Sequence, residues 1–249
     1  MAEDEIEMTT SDGTVDAVLY HPDDGSRLPG VVFFTDIGGI RPSQREKAAE
    51  LAAAGYVVLM PNVFYRTARS PVIGYPLNFD DDATMQRVNA LREPLTPDAL
   101  ERDAAAYVDF LGASDFVAHG PLGIVGYCFT GKLALIAAAV RPERVGAGAS
   151  FHGGYLVTGE PSSPHLLLPR VKASLYFGHA TEDRSMPAEA IATLDRALEA
   201  WGGRYESEVY DGARHSWTEP DSPAYNEPQA RRAFEKLTSL FAETLRAGG

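Results

Sequence analysis

The stretch from Leu122 to Ala139 constrains this chain more than any other. Leu122-Gly123-Ile124-Val125 is a short apolar run, the pattern of a strand covered on both faces. Lys132-Leu133-Ala134-Leu135-Ile136-Ala137-Ala138-Ala139 is rich in helix formers. Only Gly126-Tyr127-Cys128-Phe129-Thr130-Gly131 joins the two. Strand, sharp turn and helix must follow one another without a spacer, and Cys128, the single cysteine, sits at the bend. A residue held at such a turn needs neighbours without a Cβ to crowd it. The following helix N-terminus offers free N–H groups and partial positive charge, which favour a thiolate and a developing oxyanion. A lone cysteine is commonly a small buried hydrophobe, but a bend between glycines speaks against that.

The flanking segments repeat the theme. Ile6 to Thr10 and Val15 to Tyr20 read as strands joined by an Asp12-Gly13 hairpin. Val31 to Phe34, Tyr56 to Met60, Val145 to Phe151, Ala173 to Phe177 and Tyr205 to Tyr210 read as further strands. Helices are expected from Ser43 to Ala54, Thr84 to Leu91, Pro97 to Leu111, Pro187 to Ala200 and Pro228 to Leu245. Ser43 is the expected cap of the first, with Glu46 completing a capping box, and Thr96 the cap of the third. Asn62 to Phe79 reads as a long loop forming a lid or rim. This alternation predicts an α/β chain whose central sheet is mostly parallel, with helices on both faces. Without a repeat or a clear linker, residues 1–249 read as one domain.

The Gly-x-nucleophile-x-Gly bend matches the nucleophile elbow of α/β-hydrolases, with sulfur where serine usually stands. That fold orders its residues as nucleophile, acid, histidine, each at the carboxyl end of a strand. Asp183 follows the strand ending at Phe177, and His215 follows the last strand. Each alone has an ordinary structural reading; together with Cys128 they form a triad pattern. The expected oxyanion donors are the N–H groups of Phe129 and Ile37, the latter in the loop after Val31 to Phe34. His152-Gly153-Gly154 resembles the lipase oxyanion element but follows the nucleophile, where that element precedes it.

Bulk properties narrow the partners. A net charge of -13 opposes binding to nucleic acid or an anionic membrane. One cysteine permits no internal disulfide, the acidic N-terminus is unlike a signal peptide, and no apolar run has membrane-spanning length. These features predict a cytoplasmic protein with a small-molecule substrate, and leave its oligomeric state open. The histidines lack ligand spacing such as HExxH, and no GxGxxG follows the first parallel strand, so neither metal nor cofactor is expected.

At these residues the chain resembles the dienelactone hydrolase (carboxymethylenebutenolidase) family over nearly its whole length. The family elbow is Gly-x-Cys-x-Gly-Gly, with Thr130 here at the first paired glycine. His215-Ser216-Trp217 matches its His-Ser-aromatic run, and Asp183 to Pro187 its acid segment. Asp36-Ile37-Gly38-Gly39 matches a Glu-Ile-x-Gly setting. The resemblance implies that Asp36 modulates the thiol, although its side chain is one methylene shorter. It also implies that Arg87 binds a substrate carboxylate. Where the family has a second arginine after its histidine, this chain has Glu219, which would repel that carboxylate.

The implied activity is ester or lactone hydrolysis with a cysteine nucleophile and a thioester intermediate. The alternative is a binding protein that retains the fold without catalysis, motivated by Asp36, Thr130 and Glu219.

Overall fold

The computed structural model describes residues 1–74 and 77–245. Strands β1 (Ala2–Thr10) and β2 (Gly13–His21) form the expected hairpin, with Thr10 paired to Gly13. Gly13 has φ 142°, a conformation only glycine adopts readily. β3 (Gly30–Phe34), β4 (Val57–Pro61), β5 (Leu122–Tyr127), β6 (Val145–Phe151), β7 (Ser174–Glu182) and β8 (Tyr205–Arg214) complete a sheet ordered β1-β2-β4-β3-β5-β6-β7-β8. From β4 to β8 every neighbouring pair is parallel; β2 joins β4 antiparallel.

The interior strands carry no alternation because both faces are covered: every residue of β3, β4 and β5 is buried. One core layer takes α1 (Pro42–Ala53) and α6 (Glu227–Leu245), through Leu51, Leu237 and Phe241. The other takes α2 (Asp82–Arg92), α3 (Pro97–Gly112), α4 (Lys132–Val140) and α5 (Ala188–Trp201), through Leu91, Tyr107, Leu135 and Leu194. Leu133 to Ala139 of α4 is entirely buried, which explains its lack of a polar face.

Thr96 caps α3 as expected, its hydroxyl accepting the Ala99 N–H at 3.3 Å. Ser43 does not cap α1. That helix starts at Pro42, and the Ser43 hydroxyl donates to Asp221 at 2.7 Å. The capping-box reading failed because the helix begins one residue earlier, at Pro42, which puts Arg41 at the cap position and Ser43 inside the first turn. β7 and β8 run past their expected ends, carrying the sheet edge up to the site loops. The expected loop Asn62 to Phe79 includes residues 75 and 76, which lie outside the described residues. Among the described residues no helix is long and apolar enough to cross a membrane.

Candidate active site

The carboxyl ends of β5, β7 and β8 converge on one cavity. At the end of β5 the chain turns through a 3-10 segment, Cys128 to Gly131, directly into α4. Cys128 adopts φ 55°, left-handed for a residue with a Cβ. The flanking glycines are required here. A Cβ on Gly126 would lie 2.6 Å from the Thr130 carbonyl oxygen, and one on Gly131 2.6 Å from the Gly153 Cα. Thr130 fits where the family has glycine because its hydroxyl is used. It donates to the Thr35 carbonyl at 2.6 Å, with the Tyr127 carbonyl at 2.9 Å, and so ties the bend to the end of β3.

The three expected triad residues meet. His215 Nε2 lies 3.1 Å from Cys128 Sγ, and Nδ1 lies 2.6 Å from Asp183 Oδ2. Ser185 supports the acid, its N–H and hydroxyl both donating to Asp183 Oδ1 at 2.8 and 2.6 Å. Burial raises the Asp183 pKa, but the hydrogen bond and charge of His215, together with Ser185, outweigh it and hold the carboxyl below its usual range. Burial likewise opposes a charged His215. The charge of Cys128 and the hydrogen bonds that the ring makes to Asp183 and Cys128 prevail and push its pKa up to about 11.

The cavity beside Sγ is about 500 Å³. Ile37, Val88, Phe129 and Tyr155 provide apolar wall, and Phe79, from the expected rim, stands at its edge. Ile37 and Phe129, expected to supply the oxyanion donors, are both lining residues of this cavity. Arg92, Arg184 and Arg214 also line it. Arg92 stacks over the Phe129 and Tyr155 rings, with centroid distances of 4.9 and 5.3 Å. No carboxylate pairs with these three arginines among the described residues, although most arginines of this acidic chain are paired.

Three residues implied by the resemblance lie elsewhere. Arg87 donates to the Val72 carbonyl at 2.9 Å and lines a separate hollow with Pro42 and Ile73. Its neighbours on the helix, Val88 and Arg92, face the active cavity instead. Asp36 does not engage the thiol. Both its oxygens are held by Arg41, at 2.6 and 2.8 Å, and one also accepts the Gly38 N–H. The guanidinium fork matches both carboxylate oxygens, a geometry a thiol cannot rival. Glu219 does not face the substrate cavity. It is fully buried behind the site, bound by Lys47 at 2.8 Å, by Gln44 and by Thr218. A carboxylate clamp or repulsion at that position is therefore absent.

His152, set aside on sequence order, proves to touch the backbone of Cys128, whose N–H donates to its Nδ1 at 3.0 Å. Only its position after a buried strand could have flagged it. Among the described residues, no group of three or more His, Cys, Asp or Glu side chains is placed to hold a metal ion.

The model of the dienelactone hydrolase family matches residues 15–245. The chain belongs to the dienelactone hydrolase family. A carboxymethylenebutenolidase of Rhodococcus opacus is 29% identical over 223 residues, covering 88% of this chain and 82% of the relative. A crystal structure from Klebsiella pneumoniae, described as a dienelactone hydrolase, superposes with a TM-score of 0.85 at 20% identity, covering 97% of this chain and 98% of the other. The dienelactone hydrolase of Anabaena variabilis superposes with a TM-score of 0.70 at 21% identity, covering 98% of each. These likenesses show the α/β-hydrolase fold. Family membership makes the chain a hydrolase of the ester or lactone type, acting on a small-molecule substrate.

Proposed function

We propose that Cys128 is the nucleophile of this hydrolase and that an ester or lactone passes through a thioester on its sulfur. The carrying observation is the contact of Cys128 Sγ with His215 Nε2 at 3.1 Å, with Asp183 on the far nitrogen of the same ring. Imidazole holding a raised affinity for the proton beside sulfur is the condition for an attacking thiolate.

The steps follow from that geometry. His215 Nε2 takes the thiol proton and Sγ bonds to the substrate carbonyl carbon. The carbonyl oxygen becomes an oxyanion, and the backbone N–H groups of Phe129 and Ile37, both residues that line the cavity, are assigned to receive it. Collapse of the tetrahedral intermediate breaks the carbon–oxygen bond, and the His215 proton passes to the leaving oxygen. Water, deprotonated by His215, then attacks the thioester, and collapse returns sulfur as thiolate and His215 as imidazolium. Thiolate is itself a good leaving group. The first intermediate therefore goes forward only when the substrate's own leaving group competes, which favours enol lactones and aryl esters over amides.

The decisive test is Cys128→Ala assayed with an aryl ester. The expected result is a fold-intact protein with turnover at the level of the buffer control, and undiminished cleavage would overturn the reading.

A further inference from the structure

These steps leave one buried imidazole beside the nucleophile unused. His152 directly follows β6 and is completely buried. Its Nδ1 accepts the Cys128 N–H at 3.0 Å, and its Nε2 lies 2.8 Å from Thr218 Oγ1. A backbone N–H can only donate, so Nδ1 carries no proton and Nε2 does. Thr218 then accepts from Nε2 and donates to Glu219 Oε1 at 3.0 Å, where Lys47 Nζ closes the chain at 2.8 Å. Every group in this chain has a defined donor or acceptor role, and the ring can face only one way.

The loop that carries His152 grips the nucleophile twice. Two residues on, the Gly154 N–H donates to the Cys128 carbonyl at 2.9 Å. The peptide groups on both sides of the Cys128 Cα are therefore anchored by residues 152–154. A trans peptide points its C=O and N–H in opposite directions. Holding the Cys128 carbonyl toward Gly154 turns the Phe129 N–H away from that loop. The same loop reaches Ser185, which holds the acid, with the Tyr155 N–H donating to the Ser185 carbonyl at 3.1 Å. Backbone strain gives a second, independent pointer. The non-glycine residues with left-handed φ among the described residues are Cys128, His152, Tyr155 and Ser216, and all stand at this junction. Such conformations persist where surrounding contacts over-determine them.

We propose that His152 is a positioning residue for the nucleophile: its imidazole, oriented by Thr218, Glu219 and Lys47, holds the Cys128 N–H and so keeps Sγ in line with His215 and the Phe129 N–H. The proposal rests on Cys128 being the attacking group.

Two amide variants separate its parts. In His152→Asn the side-chain oxygen can occupy the Nδ1 position and still accept from Cys128. In His152→Gln the amide reaches the Nε2 position, where its NH2 can donate to Thr218, leaving the Cys128 N–H unmet. With an aryl ester, His152→Gln is expected to lose ~10- to 100-fold in kcat with KM within ~2-fold, a size typical of small misplacements of a reacting group. His152→Asn should retain kcat within ~5-fold of wild type, since the acceptor is preserved. Equal kcat in His152→Gln and wild type, or equally low kcat in both variants, would overturn the proposal. If neither variant folds, Thr218→Val leaves the ring but removes its far anchor. A fall of ~3- to 10-fold in kcat supports the proposal there, and an unchanged kcat defeats it. The rate of Cys128 alkylation by iodoacetamide, followed in the same variants, needs no ester. Alkylation that slows in the glutamine variant and recovers in the asparagine variant upholds His152 positioning even if Cys128→Ala sinks the hydrolytic reading. Identical rates in all three proteins reject it.

Discussion

At the scale of single residues, what a side chain does here was decided by which partner came within reach. Thr130 shows it. Read along the chain it is a blemish in a glycine pattern, yet its buried hydroxyl joins the elbow to the Thr35 carbonyl. Thr130→Val keeps the shape and leaves that carbonyl unmet. It should cost about 1–2 kcal/mol of stability, measured by urea denaturation. Asp183 is the other case. Its carboxylate holds His215 Nδ1 and is itself held by Ser185. Asp183→Asn removes the charge that favours imidazolium, and kcat should fall by roughly 10²–10⁴ while KM changes little. A kcat near wild type would detach Asp183 from the reaction.

At the scale of elements, α2 decides which arginine lines the cavity beside Cys128. Arg87 and Arg92 are five positions apart, which on a helix turns them roughly 140° from each other. Only one can face the cavity, and Val88 one turn before Arg92 marks the side that does. The register of α2 is set by its buried Val88 and Leu91, with Asp81 as N-cap accepting from Thr84. Arg92→Ala should therefore raise KM about tenfold for an ester bearing a free carboxylate and leave a neutral aryl ester nearly unchanged. Arg87→Ala should change neither. A reversed pattern in the steady-state kinetics would mean that the helix meets substrate through its other face.

At the scale of the whole molecule, acid stability reports on how the sheet buries its histidines. Burial lowers the pKa of His152 and of His179, in β7, to about 4 from an ordinary 6.5. Between those values the unfolded chain holds a proton that the folded one refuses. Stability therefore rises with pH through this window and is lost on acidification from about 6.5 to about 4. Each histidine accounts for about 3 kcal/mol at the low end, from 1.36 kcal/mol per pKa unit. Urea midpoints at pH 7 and pH 4.5 should differ clearly, and His179→Gln should narrow the gap. An equal gap in the variant would assign the acid loss to other groups.

The chain alone determined the parts that depend on neighbours in sequence. Apolar runs marked the strands because doubly covered strands cannot alternate, and Gly126 and Gly131 marked the bend because nothing larger fits. The order Cys128, Asp183, His215 was legible since the topology of a parallel sheet carries strand ends to one edge. Tertiary structure alone decided the polar partners. Asp36 went to Arg41, Glu219 to Lys47, Ser43 to Asp221 and His152 to the Cys128 N–H. A buried polar atom binds whichever complementary group folding delivers within about 3 Å, and for most of these pairs that group comes from far along the chain.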